Sequence, residues 1–215
     1  RIFDAYVKHS IPGLRGFDRP HLLPVGHVHA AGCAVIVELR RHPWLEHCLR
    51  NVAHFLPEMW SMLVVHGDDN RDFTQQILAS WGMSDVIQLH NLGVENVTRS
   101  EYSDLLKTPA FWDLIPARRT LIFQTDSMLL HRGIEDFYEW DYIGSPWNDF
   151  HVPEGVGNGG LSLRTVSVMK EIAGRYGSSS PASEMEDVFY ARMLHLHGKG
   201  PELTGRLATR KVAHK

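Results

Sequence analysis

Two kinds of apolar pattern alternate along the chain from residue 33 onward. Residues 34–39 (Ala-Val-Ile-Val-Glu-Leu) are rich in β-branched side chains and almost continuously apolar, which is typical of a strand buried in a parallel sheet. The apolar residues that follow, up to Pro57, repeat at helical spacing: Trp44, Leu45, Cys48, Leu49, Val52 and Phe55. The pattern therefore predicts a β-α unit at the start of the core.

The same alternation continues to the end of the chain. Further strands are predicted at residues 62–66, 86–89, 120–124, 141–143 and 160–163, and further helices at residues 73–81, 100–106, 166–173 and 185–196. Strands that alternate with helices indicate right-handed βαβ units. We therefore expect a single α/β, Rossmann-like domain at residues 33–215, with a mostly parallel mixed sheet flanked by helices. Residues 1–32 contain three prolines and no periodicity, so we expect an extended lead-in.

The composition argues against several classes of protein. The 215 residues suffice for one core, and a formal net charge of -3 leaves no broad basic field for nucleic acid. The chain has no run of about 18 apolar residues, so no membrane contact is expected in it. The only cysteines, Cys33 and Cys48, are predicted to be buried thiols. The compartment stays open between the cytoplasm and, if a membrane anchor preceded residue 1, the lumen of the secretory pathway.

Polar side chains follow three of the predicted strands. Arg40 follows the first strand, Asp69 and Asn70 follow the second, and Thr125 and Asp126 follow the strand at residues 120–124. In open parallel sheets ligands bind at the carboxyl ends of the strands, so these residues predict a site for a nucleoside diphosphate and a divalent metal. For Asp69 and Asn70, a wet loop is an equally good explanation. Asp126 stands between two apolar stretches, so we expect it to face a site.

The run from Gly155 to Gly160 matches GxGxxG, the dinucleotide-binding fingerprint. That fingerprint requires a strand before it and a helix after it, whereas here an alternating, strand-like segment follows. A dinucleotide-dependent oxidoreductase is therefore the weaker interpretation. Glycines at this point favour close approach of a substrate or of another backbone segment.

Two adjacent carboxylates, Glu186 and Asp187, open the helix predicted at residues 185–196. Acidic residues are favoured in the first helical turn by the helix dipole, which is the simpler explanation. Adjacent helical residues point about 100° apart, so one carboxylate can face a site while the other caps the helix or forms an ion pair. A carboxylate there is suited to accept a proton from a hydroxyl.

With these residues in view, the chain resembles a family of glycosyltransferase-like proteins of GT-A type, DUF5672, known by a domain of unknown function. The strings that carry the resemblance are Val37–Arg40 with Asn51-Val52, the strand running into Gly67 and Asn70, Phe111-Trp112, Phe123–Ser127, Asp141–Trp147, Gly157–Arg164 and Glu186–Phe189. Together they cover most of the chain after residue 33. The string Gly157–Arg164 is the most specific of them.

The resemblance implies a nucleotide-sugar site. Thr125-Asp126-Ser127 stands where GT-A enzymes carry the DxD motif, whose carboxylates bind the diphosphate through Mn²⁺ or Mg²⁺. The motif is degenerate, because Met128 replaces its second carboxylate. A histidine near the C-terminus commonly completes the metal shell in such folds, which makes His214 a candidate ligand.

The resemblance also implies an acceptor side. Asp187, with Glu186, is similar to the catalytic base of inverting GT-A families, so attack with Asp187 as base would invert the anomeric carbon. The residues expected to line the sugar and acceptor side are Trp147, Asn158, Gly159, Gly160 and Arg164.

The sequence is therefore interpreted as a glycosyltransferase of the hexosyltransferase type. The expected donor is a nucleoside diphosphate sugar, and the expected acceptor is a hydroxyl of a glycan or of another molecule. The main alternative is a catalytically silent sugar-binding or scaffold domain that has kept the fold. The degenerate DxD motif favours that alternative, and the intact Glu186-Asp187 pair opposes it.

Overall fold

A computed structural model describes residues 4–5, 7–9, 13, 21–27, 30–147, 156–198, 200 and 203–213. The strands are β1 (Gly32–Val37), β2 (Trp60–His66), β3 (Gln88–Asn91), β4 (Arg119–Phe123), β5 (Tyr142–Pro146) and β6 (Val156–Thr165). The α-helices are α1 (Leu45–Phe55), α2 (Arg71–Trp81), α3 (Arg99–Leu106), α4 (Pro109–Asp113), α5 (Val166–Tyr176), α6 (Glu186–His197) and α7 (Arg210–Ala213). Short 3-10 helices lie at Ile134–Phe137 and Gly177–Ser179.

The strands form a six-stranded mixed sheet in the order β3-β2-β1-β4-β6-β5. β1 and β2 pair in parallel, as do β2 and β3, whereas β5 and β6 pair antiparallel with an irregular register at Gly144–Pro146. The predicted α/β class with a mostly parallel sheet flanked by helices is confirmed. Among the described residues, no helix has the length and apolarity needed to cross a bilayer.

The domain comprises two compact units, and the first consists of Arg1–Asn96 and Phe123–Ile134. Every residue of β1 and β2 is buried, as expected for central strands that are predominantly apolar. The thiols of Cys33 and Cys48 are buried and free, as predicted. Burial raises their pKa values to about 11 and about 12, so both stay protonated and unreactive at neutral pH.

Helix α2 shows how local sequence sets an element boundary in this unit. Gly82, which directly follows the helix, adopts the left-handed conformation (φ 72°), and its N–H donates to the carbonyls of Leu78 and Ala79. Glycine reaches this conformation without the steric cost that a side chain adds, so the helix stops there.

The second unit consists of Val97–Ile122 and Glu135–Lys215. Its helix α3 begins at a capping box, in which Thr98 and Glu101 satisfy each other's backbone N–H groups. The short helix α4, which the periodicity did not predict, begins with Pro109 after the Thr108 cap. Its apolar pattern is too short to separate from a loop, because one turn shows no period.

Strand β6 passes directly into helix α5, with no connecting loop. Thr165 ends the strand, and its N–H and hydroxyl donate to the backbone and side chain of Asp141, at 2.9 and 2.6 Å. Val166 begins the helix, and its N–H donates to the carbonyl of Arg118 at 3.0 Å. This strand-helix junction is therefore fixed on both sides by hydrogen bonds.

Candidate functional site

In the first unit, the carboxylate of Glu38 holds the side chain of Arg40 just after β1. The Arg40 Nε and Nη2 atoms lie 2.7 and 2.8 Å from the two carboxylate oxygens, and the Arg40 backbone N–H donates to Oε1 at 3.0 Å. Burial of Glu38 opposes its ionisation, but the hydrogen bonds from Arg40 prevail and lower the pKa of this carboxyl. The Arg40 side chain remains 62% exposed, so its guanidinium is both oriented and accessible.

Thr125 and Asp126, which follow β4, have different environments. Thr125 is buried, its hydroxyl donates to Glu38 at 3.3 Å, and its carbonyl accepts from Cys48 Sγ at 3.1 Å. Asp126 lies exposed in a turn and interacts electrostatically with Arg40 and His42. Exposure means that Asp126 carries no burial cost, and its facing a site stays a prediction.

Asn70 has a different role from the predicted contact with nucleotide. Its side chain is 0% exposed, accepts from the Gly67 N–H at 3.0 Å, and donates to the carbonyls of Glu38 and Arg40 at 2.7 and 3.1 Å. A side chain with no accessible surface cannot contact a ligand in this structure. Asn70 instead ties the loop after β1 to the loop after β2.

A cavity of about 460 Å³ opens in the first unit, at the carboxyl ends of the parallel strands. Its lining residues are Leu39, Arg40, Arg41, Asp69, Glu95 and Asn96. Arg41 is held across it by a 3.1 Å hydrogen bond from Nε to the Asp69 carbonyl. The predicted residues Arg40 and Asp69 therefore share one cavity. Glu95 and Asn96 were missed, although the same rule about strand ends, applied to the segment after β3, indicates them.

The described residues do not fit the metal that the DxD resemblance implies. No group of three or more His, Cys, Asp or Glu side chains that could hold a metal ion occurs in the described ranges. The Glu38 carboxylate is occupied by Arg40 and Thr125, which leaves Asp126 as an isolated carboxylate at the motif. The other predicted ligand, His214, lies outside the described residues.

In the second unit, Arg164 and Glu186 form a buried ion pair. Nη1 lies 2.6 Å from one carboxylate oxygen and Nη2 lies 3.0 Å from the other, and the two residues are 0% and 3% exposed. The guanidinium carbon lies 4.7 Å from the ring centroid of Tyr142, and the rings of Tyr190 and Trp112 are also within 6 Å, a distance typical of cation–π contact.

This pairing corrects two predictions. Arg164 was expected to line the sugar side, but its burial excludes contact with a ligand in this structure. Glu186 was grouped with the catalytic carboxylates, but both its oxygens are engaged by Arg164. Burial raises the pKa of the Glu186 carboxyl although Arg164 opposes that shift, so it is the burial of Glu186 and its occupied oxygens that separate it from a substrate.

Asp187, the next residue, lies at the edge of the same cluster and is 8% exposed. Its Oδ2 accepts from the Gly159 N–H at 3.0 Å, and its Oδ1 accepts from the Val188 N–H at 2.8 Å. Each oxygen thus has one fixed partner and keeps capacity for another.

The glycine-rich run forms part of β6 rather than a loop that precedes a strand. Gly157, Asn158, Gly159 and Gly160 all lie in the strand, and the Asn158 side chain accepts from the Gly160 N–H at 3.0 Å. A dinucleotide fingerprint requires a tight turn that leads into a helix, so this placement counts against the oxidoreductase interpretation. Trp147, after β5, is half-buried, and its indole N–H has no partner among the described residues.

Comparison with known proteins gives one family and a set of distant structural neighbours. The family model "Protein of unknown function (DUF5672)" matches residues 86–215. No curated protein sequence matches the chain.

Three solved structures show the same fold at 11 to 12% sequence identity. A mannosyltransferase, PcManGT from Pyrobaculum calidifontis, in complex with GDP-Man and Mn²⁺, is 12% identical with a TM-score of 0.52, over 88% of this chain and 58% of its own. The 4-diphosphocytidyl-2C-methyl-D-erythritol synthase of Anaerococcus prevotii is 11% identical with a TM-score of 0.53, over 82% of this chain and 86% of its own. TarS 1-349 of S. aureus is 12% identical with a TM-score of 0.53, over 77% of this chain and 55% of its own. At such identities the likeness establishes the fold alone.

Proposed function

This chain belongs to the DUF5672 family, and from its fold and its cavity we propose that it is a glycosyltransferase. The reaction transfers a hexose from a nucleoside diphosphate sugar to a hydroxyl of a glycan or other acceptor. The fold is shared with glycosyltransferases and nucleotidyltransferases, and one neighbour was solved with GDP-Man and Mn²⁺. The chain spans 58% of the length of that mannosyltransferase.

The observation that carries the proposal is that arginine and carboxylate side chains line the same cavity of the first unit. Arg40 and Arg41 present guanidinium groups, which bind phosphate oxygens with directed hydrogen bonds. Asp69 and Glu95 present acceptors that suit ribose hydroxyls and base N–H groups. A nucleoside diphosphate carries both kinds of partner, so it matches this cavity better than a neutral sugar does. Asp126, which interacts electrostatically with Arg40, is proposed to lie near the diphosphate.

Asp187 is the proposed base that accepts the proton of the attacking hydroxyl. Its two backbone hydrogen bonds orient the carboxylate without occupying all of its acceptor sites. Attack by the activated hydroxyl on the anomeric carbon, opposite the departing diphosphate, inverts that carbon. Trp147, Asn158, Gly159 and Gly160 are the proposed sugar and acceptor contacts, since an aromatic face and amide groups suit hydroxylated rings.

The proposed reaction has no step that uses Mn²⁺ or Mg²⁺. The described residues provide Asp126 but no group of three ligating side chains that could hold the ion. Charge neutralisation of the departing diphosphate is assigned to Arg40 and Arg41, which line the cavity.

The second candidate function is a silent sugar-binding or scaffold domain. It is favoured by the engagement of the Thr125 hydroxyl and of the Glu38 carboxylate with each other and with Arg40. Such a domain binds a nucleotide sugar or a glycan but releases no nucleotide.

Calorimetric titration with UDP, GDP and dTDP sugars, each with Mn²⁺ and with EDTA, tests the donor site. We expect Arg41→Ala to weaken donor binding roughly 10-fold to 100-fold, because a hydrogen bond to a charged group is worth about 1.5 to 3 kcal/mol. The matched control is Arg175→Ala, which removes an exposed arginine on α5 and leaves binding unchanged. Absence of binding by every sugar nucleotide overturns the proposal.

Release of nucleoside diphosphate in the presence of simple glycosides tests the chemistry. We expect Asp187→Asn to lower the release rate about 100-fold or more while donor binding is retained, since general base catalysis contributes about 10² to 10⁴. Binding without release in the wild-type protein supports the silent-domain alternative instead.

A further inference from the structure

Five residues of the second unit, including Asp187, form a closed ring of contacts. The Arg164 Nε–H donates to Ser162 Oγ at 2.9 Å, and the Ser162 hydroxyl donates to the Gly159 carbonyl at 3.2 Å. The Gly159 N–H donates to Asp187 Oδ2 at 3.0 Å. A peptide bond joins Asp187 to Glu186, and the Glu186 carboxylate accepts two hydrogen bonds from Arg164, which closes the ring. This positioning ring thus comprises Ser162, Gly159, Arg164, Glu186 and Asp187.

Stability alone does not explain a buried ion pair inside this ring. Moving two charges out of water costs several kcal/mol per ion, and apolar residues of similar volume often stabilise a protein as well or better. Arg164 and Glu186 are almost fully buried, so they incur that cost. What the pair provides beyond packing is direction, because a bidentate guanidinium–carboxylate contact fixes both partners in one plane.

Gly159 connects the ion pair to Asp187, because its backbone lies against the pair and its N–H donates to the Asp187 carboxylate. A Cβ atom at Gly159 would lie 2.2 Å from Glu186 Oε1, 3.0 Å from Asp187 Cβ and 3.1 Å from Arg164 Nη2. The ion pair therefore packs directly against the backbone that donates to Asp187. A shift of Arg164 or Glu186 moves the Gly159 N–H and, with it, the orientation of the Asp187 carboxylate.

We propose that Ser162, Arg164 and Glu186 are positioning residues, which set the orientation of the Asp187 carboxylate without touching the substrate. The inference rests on the proposed function, in which Asp187 is the base. It reassigns Arg164 from sugar contact and Glu186 from direct catalysis to a supporting role. Ser162, which the sequence did not single out, links Arg164 to the Gly159 carbonyl.

Ser162→Ala removes the hydroxyl that links Arg164 to the Gly159 carbonyl. Ser61→Ala is the matched control. Both serines are 1% exposed, lie in strands and donate to a glycine carbonyl, but Ser61 bonds to Gly32 in the first unit. We expect Ser162→Ala to lower kcat roughly 10-fold to 100-fold with KM nearly unchanged, since small misplacements of catalytic groups have effects of that size. Ser61→Ala should leave kcat unchanged while lowering the unfolding midpoint, though by less than Ser162→Ala, which also leaves the buried Arg164 Nε–H without its acceptor. Equal kcat values for the two variants overturn the proposal.

Hydrogen exchange of the Gly159 amide tests the ring independently of turnover. We expect exchange at Gly159 to accelerate at least 10-fold in Ser162→Ala and to keep its wild-type rate in Ser61→Ala, with both variants compared under native conditions. An unchanged Gly159 rate in Ser162→Ala overturns the positioning ring. If the wild-type protein releases no nucleotide from any donor, the proposed function fails, and this exchange measurement still decides whether the ring orients Asp187.

The double variant Arg164→Met/Glu186→Leu separates positioning from stability. We expect each single variant to destabilise the fold strongly, because it leaves one buried charge unpaired, and the double variant to recover most of the wild-type unfolding midpoint. Its kcat should stay at least 10-fold below wild type, because the directed guanidinium–carboxylate contact that packs against Gly159 is then lost. Recovery of both midpoint and kcat in the double variant would show that the pair is structural only.

Discussion

The guanidinium of Arg40 and the carboxylate of Glu38 lie side by side, with two nitrogen–oxygen distances of 2.7 and 2.8 Å. One partner is buried and the other is exposed, so the pair connects the interior of the first unit to its cavity. Glu38 thereby fixes the direction in which Arg40 presents its charge. The pair is part of the framework of the proposed donor site.

Glu38→Gln should destabilise the protein by about 1 to 3 kcal/mol, since it replaces charge-assisted hydrogen bonds inside a buried network. The matched control is Glu46→Gln, which breaks the ion pair of Glu46, a carboxylate 30% exposed against 5% for Glu38, with Arg50 and should cost less than about 0.5 kcal/mol. Urea unfolding of both variants measures the difference. Equal losses for the two would contradict the role given to Glu38.

Asn70→Ala should cost about 2 to 3 kcal/mol, because it leaves the Gly67 N–H and two carbonyls without their buried partner. Asn91→Ala removes an exposed asparagine that bonds to Asp68, and we expect a change within about 0.5 kcal/mol. Thermal unfolding of the two variants provides the comparison. A small effect at Asn70 would mean that the two loops do not depend on it.

Gly159→Ala should be destabilising by about 1 to 3 kcal/mol, because its Cβ would lie 2.2 Å from the Glu186 carboxylate. Gly174→Ala, on helix α5, meets no atom closer than Pro109 Cγ at 3.8 Å and should stabilise by up to about 1 kcal/mol. Chemical unfolding of both variants tests the opposite signs. The same sign at both positions would show that the space around Gly159 is less restricted than described.

His47 gives a prediction for pH dependence. It is buried, burial lowers its pKa, and neither ring nitrogen has a partner among the described residues. The unfolded chain therefore binds a proton more readily, so the stability from neutral His47 is present above about pH 6.5 and decreases below it. His47→Phe should reduce the slope of unfolding free energy between pH 5 and 6.5. Measurements at pH 8, where the imidazole is neutral in both states, provide the baseline, and an unchanged slope would contradict the assignment.

The periodic segments are what the sequence predicted best. Helices α2 and α6 and strands β1 and β2 lie within about two residues of their predicted bounds, because burial of an apolar face leaves a repeat in the sequence. The extent of β6 was underestimated, since Gly157 to Gly160 have the composition of a loop. Their strand conformation depends on pairing with β5, which is distant in sequence and leaves no local signal.

The sequence predicted which strand ends meet at the candidate site, but not which of their side chains face the cavity. Strand ends indicated Arg40 and Asp69 correctly as neighbours, because parallel strands end at one edge of a sheet. The burial of Asn70 and Arg164 could not be predicted, since a polar residue near a site has the same appearance in the sequence whether it faces the ligand or supports the backbone. Only the partners in three dimensions distinguish the two roles.

The junction at Thr165 and Val166 limits how this chain can vary in length. One residue inserted there would rotate α5 by about 100° about its axis and turn its buried face toward solvent. Natural or engineered insertions should therefore accumulate in the loops between elements, while the spacing from β6 to α5 stays invariant. Because one peptide bond joins the last residue of the strand to the first residue of the helix, the register of β6 fixes which face of α5 is buried.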